Sequence, residues 1–110
     1  MSDIQEIEIS IEAAKEAMAK GEAVRKLSSN RDFKRVILDG LFKDEAARLV
    51  GLIADPAMKE HRNDIIEMMI GISTLQSYLR NTMQMGRMAG EELVNLEEAA
   101  DDVRNEALAG

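Results

Sequence analysis

The chain has 110 residues and a formal net charge of −7, with 45% hydrophobic, 32% charged and 3% aromatic residues. That balance excludes an intrinsically disordered chain and favours a single folded, soluble domain. The chain contains no cysteine, which excludes disulfides, thiolate metal sites and a cysteine nucleophile; the acidic start MSDIQEIEIS and the lack of any apolar run near the ~20 residues of a bilayer span argue against a secretory signal or a membrane helix.

With Phe33, Phe42 and Tyr78 as its only aromatics and eight methionines, the core must be aliphatic. Ser2 and Gln5 resemble a capping box at a helix start, and Asp3 and Glu6 suit the positive end of the helix dipole. Ile4, Ile7, Ile11, Ala14 and Met18 follow at steps of three and four, which makes one apolar seam and predicts a helix over 3–27. Ile9 lies off that seam and is expected to be exposed on an isolated hairpin. The helix should end at Ser28-Ser29-Asn30.

Ser29 or Asn30 can cap a short second helix over 31–39, with Phe33, Val36 and Ile37 on its buried face. Gly40 suits the left-handed position past its end. A third helix is expected over 43–54, with Ala46, Leu49, Val50 and Ile53 inward, stopped by Asp55-Pro56 because the residue before proline disfavours helix and proline lacks the N–H.

After a connection at 56–62, a helical pattern runs to about residue 107. Ile72, Leu75, Leu79, Thr82, Gly86, Ala89, Leu93, Leu96, Ala100, Val103 and Ala107 keep the three-four spacing. A helix of roughly 45 residues would be about 70 Å long, so it needs a companion along its side. A break near Gly86–Gly90 is one option, since an interior glycine costs about 1 kcal/mol relative to alanine. Small residues in the first helix (Ala13, Ala14, Ala17, Ala19, Gly21, Ala23) and in the last (Gly86, Ala89, Gly90) would let two backbones approach closely. The expected fold is all-α: an antiparallel hairpin of long N- and C-terminal helices, with two short helices packed at one end. As a single domain it divides into an acidic two-helix stalk (1–28 and 80–108) and a helical head (30–79).

Charge follows the same division. Residues 1–22 hold six acids and two bases, 91–110 hold seven acids and one base, and 23–90 hold eleven bases and eight acids. The termini are therefore acidic and the centre mildly basic. This pattern suits solvated helix faces, or a bipolar molecule that docks one end onto an acidic partner; the crowded carboxylates of the stalk suit a basic or cation-rich surface.

Catalytic chemistry is not evident. His61 is the only histidine and lies in the polar run 59–64, where it reads as an exposed connector residue. The pairs Glu91-Glu92, Glu97-Glu98 and Asp101-Asp102 put their side chains about 100° apart on a helix, as expected of a solvated face. No glycine-rich phosphate loop or aspartate-rich calcium loop occurs. No cofactor or metal is expected, and the chain reads as a non-enzyme.

The candidate partner-binding residues are of three kinds. Arg25, Lys26, Arg31, Lys34 and Arg35 cluster across the corner between the first two helices, and suit plain surface, a protein-docking patch or phosphate contacts. The shortage of aromatics and the overall charge disfavour nucleic acid. Leu41 and Phe42 in the head are candidate contact residues beside these bases. Met83, Met85 and Met88, with Met68 and Met69, make the last helix methionine-rich on more than one face, which suits core filling, oligomer packing or an adaptable recognition strip. The long seam and Ile9 point to a homo-oligomer.

The stretch 33–86 reads Phe33-Lys34-Arg35-Val36-Ile37-Leu38-Asp39-Gly40-Leu41-Phe42-Lys43-Asp44-Glu45-Ala46-Ala47-Arg48-Leu49-Val50, then Ala54-Asp55-Pro56, then Ile72 to Met85. It resembles small acidic helical proteins of tailed bacteriophages, encoded near their head and packaging genes. The resemblance covers about half the chain and carries no catalytic signature and no functional residues. It implies a virion or assembly protein that binds capsid, portal or packaging components, located in the virion or the host cytoplasm. A second expectation is an early regulatory protein that inhibits a host nucleic-acid enzyme, with the acidic stalk imitating a nucleic-acid backbone. A third is direct nucleic-acid binding through the basic corner.

Overall fold

A computed structural model describes residues 3–109, so the expected Ser2 cap lies outside the described residues. Every described residue except Asn30 and Asp55 is in a helical conformation, and none is in a strand. The protein is all-α.

Helix α1 spans Asp3–Ser29, with Asp3 and Glu6 in its first turn and Lys26 in its last, charges that complement the helix dipole. Asn30 interrupts it with an extended backbone. Its Oδ1 accepts a hydrogen bond from the Phe33 N–H at 2.9 Å, so Asn30, rather than Ser29, is the N-cap. The Ser29 hydroxyl instead donates back to the Arg25 carbonyl at 3.2 Å.

The next helix begins as the short α2 (Arg31–Phe33), continues as a π-helix, π1 (Lys34–Glu45), and finishes as α3 (Ala46–Ala54). The expected stop at Gly40 is absent. No glycine among the described residues has a positive φ, and the two short helices read from the sequence are one continuous helix. The wider π winding brings Gly40 against its own preceding turn: a Cβ there would lie 3.1 Å from the Arg35 carbonyl oxygen. Glycine at this position thus answers to a close approach rather than to a left-handed turn. Val36 and Val50, both expected inward, are exposed at 63% and 53%, whereas Leu49 is only 2% exposed. The π winding turns the apolar positions of residues 34–45 away from the 3.6-residue period.

Asp55 stops the helix as expected. Its backbone is extended and Pro56 opens a 3₁₀ turn, Pro56–His61. The Asp55 Oδ1 accepts from the Ala57 N–H at 3.0 Å, capping that turn. Helix α4 then runs from Arg62 to Ala109 without a break at Gly86 or Gly90.

The chain forms two compact units. Residues Arg25–Asn81 make one, and Met1–Val24 with Thr82–Gly110 make the other. In the first, Leu49 of α3 and Ile65 of α4 are the buried large side chains. The second is an antiparallel hairpin of α1 and α4. Its buried side chains are small: Ala14, Val24, Ala89 and Ala100, with Gly21 and Gly86 also buried.

The hairpin closes on glycine. A Cβ on Gly86 would lie 2.9 Å from the Gly21 Cα and 3.0 Å from the Ala17 carbonyl oxygen. The two backbones touch here, which only two glycines permit. This contact explains why α4 keeps a glycine at position 86: the close packing offsets its low helix propensity. The seam of α1 passes through Ile4, Ile7, Ile11, Ala14 and Ala17 to Gly21 and Val24. Met18, expected on the seam, is displaced to its edge at 36% exposure, and its Cε reaches to 3.7 Å from where a Gly90 Cβ would stand.

Candidate functional site

The hairpin has two unlike flanks. On one, Glu8, Ile11, Glu12, Lys15, Glu97 and Arg104 line a polar groove. Arg104 bridges the helices there, with its Nη2 3.4 Å from Glu8 Oε1 and its Nη1 3.5 Å from Asp101 Oδ1. On the other flank, Ser10, Ala13, Ala14 and Ala17 of α1 face Met85, Met88, Ala89 and Glu92 of α4 across an open groove of about 360 Å³. Its floor is methyl groups and its walls are thioethers, a surface that suits another helix or an apolar side chain.

The unit 25–81 carries a second apolar groove of about 350 Å³, lined by Leu41, Glu45, Leu49, Met68, Gly71, Ile72 and Leu75. Its rim holds the Arg48–Glu45 ion pair. The guanidinium hydrogen bonds to Glu45 hold that carboxyl below its ordinary value, against a smaller opposing effect of desolvation, and raise the Arg48 guanidinium in turn.

Among the sequence-derived candidates, Met85 and Met88 share the hairpin groove and are 62% and 56% exposed. Met83 is exposed at 40% but does not line that groove; its carbonyl faces Gly21. Leu41 lines the second groove, whereas Phe42 is half-buried outside that lining. Arg25 and Lys26 lie in the last turns of α1, Arg31 opens α2, and Lys34 and Arg35 sit on π1; all five side chains are exposed. Ile9 is 56% exposed, as its off-seam position predicts.

Ser10, Glu45 and Gly71 are groove residues beyond the sequence candidates, whereas Leu49, Met68, Ile72 and Leu75, the other groove partners of Leu41, already stand out in the sequence as inward or methionine-rich positions. Ser10 falls at helical spacing with Ala13 and Ala17, which was a readable signal. Gly71 at the second groove was not readable, because nothing approaches it within 4 Å.

Among the described residues no three His, Cys, Asp or Glu side chains gather as metal ligands. No buried side-chain nitrogen or oxygen there lacks a hydrogen-bond partner. His61 is exposed at the end of the 3₁₀ turn, and the three adjacent carboxylate pairs of α4 are exposed. No described helix is long and apolar enough to cross a membrane.

No family model, curated protein or solved structure matches the chain.

Proposed function

We propose that the chain is a non-enzymatic structural or assembly protein of a tailed bacteriophage, binding capsid, portal or packaging components through its helical surfaces. One observation carries the binding part of this reading. Large apolar side chains stand in solvent along α4: Met68 at 58%, Ile70 at 59%, Tyr78 at 60%, Met85 at 62% and Met88 at 56%. Scattered apolar exposure needs no explanation, but exposed methionines gathered at an apolar groove, as Met68 is in one unit and Met85 and Met88 are in the other, are a feature of interaction surfaces. Methionine-rich surfaces adapt to a partner by changing rotamer. The phage context comes from the resemblance of residues 33–86.

A second reading draws on the exposed carboxylates Glu91, Glu92, Glu97, Glu98, Asp101 and Asp102. Their density on α4 would let the hairpin stand in for a nucleic-acid backbone on a host enzyme. Affinity capture with the tagged chain, expressed during phage production, separates the two readings. Recovery of shell, portal or packaging proteins is the expected result. Recovery of one host nucleic-acid enzyme without them would replace the first reading with the second.

A further inference from the structure

We infer that the open groove of the hairpin is filled by a second copy of this chain, packed antiparallel with Ala13 on the two-fold axis. The inference rests on the reading of the helical surfaces as working surfaces, and assigns one of them to self-association.

The hairpin is short of core. Its fully buried side chains are three alanines and one valine, and its larger seam residues Ile4, Ile7, Ile11, Leu93 and Leu96 are only half-buried, which is little apolar bulk to hold two long helices together unaided. Three of its larger apolar groups, Ile9, Met85 and Met88, are each more than half exposed; Met85 and Met88 line the groove, and Ile9 stands one turn before Ala13 on α1. The opposite flank needs no cover, because the Arg104 ion pairs and Met18 already occupy it.

Charge then decides both the occupant and its direction. Glu6, Ser10, Ala13, Ala17 and Lys20 recur at steps of four and three along α1, so they share one face. The sequence on this face is complementary to itself about Ala13. In an antiparallel pair centred there, Glu6 meets Lys20 of the other copy at both ends. Ile9, the large exposed side chain, meets the small Ala17 as knob into hole. A parallel pair would set Glu6 on Glu6 and Lys20 on Lys20, each a repulsion. Among the described residues neither Glu6 nor Lys20 takes part in an ion pair within its own chain. The contact is isologous, the form that closes a dimer instead of growing a fibre.

The chain has no cysteine, so single cysteines report the register directly. A13C should oxidise rapidly to a disulfide-linked dimer, since bridged Cα atoms must lie within about 7 Å. K15C, on the opposite flank, should not. I9C and A17C should cross-link with each other when mixed, and neither with itself, because position 9 lies about 12 Å along the helix from its own copy. Sedimentation equilibrium of the native chain should give a dimer. E6K should weaken it about tenfold, and E6K with K20E should restore it. Circular dichroism of each variant confirms that it is helical; A13C alters an exposed side chain by one atom and leaves the fold in place. A native chain that stays monomeric near millimolar concentration, or A13C that oxidises no faster than K15C, would overturn the inference. Self-cross-linking of I9C in place of the mixed pair would overturn the antiparallel register. None of these outcomes bears on whether the chain is present in phage particles, which is read separately.

Discussion

Gly21 and Gly86 meet backbone to backbone, so closely that a Cβ on Gly86 would stand 2.9 Å from the Gly21 Cα. All three atoms nearest that Cβ, the Gly21 Cα and nitrogen and the Ala17 carbonyl oxygen, are backbone, which cannot rotate away. Gly86→Ala must therefore part the two helices, and overpacking of this kind costs about 1–3 kcal/mol. Alanine recovers about 1 kcal/mol of helix propensity in return, leaving a net loss. Gly71→Ala is the matched control. It lies in the same helix, nothing stands within 4 Å of its Cβ position, and it should gain about 1 kcal/mol. Urea unfolding monitored by circular dichroism reads both, and opposite signs are expected.

Leu49 and Val50 are sequence neighbours with unlike environments. Leu49 is 2% exposed and Val50 53%. Leu49→Ala should cost about 3 kcal/mol through lost burial and the space left behind. Val50→Ala should stay within about 0.5 kcal/mol. Thermal unfolding of the two variants checks the contrast.

Much of the fold was legible because periodicity reports which face of a helix is covered. The seam from Ile4 to Ala14, the length of α4 and the stop at Asp55-Pro56 all follow from side-chain spacing and proline chemistry. Positions whose role depends on a distant partner were harder to read. Gly40 carries the same local signal as a helix-ending glycine, and only the winding of π1 shows that it answers to the Arg35 carbonyl. Met18 and Ala17 are equally placed on a 3.6-residue repeat; the need to bring Gly21 onto Gly86 selects the smaller one for the seam. Of the candidate contacts, Met85 and Met88 were marked by composition. Their grouping with Ser10 and Ala13 required the pairing of two helices far apart in sequence.

The Arg48 hydrogen bonds lower the Glu45 carboxyl below its usual value of 4.5. A carboxyl depressed in the folded state adds stability above its unfolded value, and that stability is lost as pH falls through its folded value. Arg48→Gln should bring the Glu45 midpoint, followed by carbon-13 NMR of the carboxyl, back up toward 4.5. An unmoved midpoint would show that the pair does not form in solution.

The hairpin draws together the acid-rich ends of the chain, with thirteen acids in residues 1–22 and 91–110 against three bases. Like charges held this close repel, and salt screens them over about 8 Å at physiological ionic strength. The melting temperature should therefore rise between 10 and 300 mM sodium chloride, roughly the range over which screening sets in. The exposed Arg104–Glu8 bridge works the other way but weakly, since exposed pairs are worth under about 1 kcal/mol. A melting temperature that fell with added salt would mean that such bridges outweigh the repulsion.

The proposed role is for this chain to lay helical surfaces against the proteins of a phage particle. Quantitative mass spectrometry of purified particles and of assembly intermediates tests that most directly. The chain should be present in one or both, at a fixed ratio to the shell protein. Its absence from mature particles and intermediates alike would contradict the account.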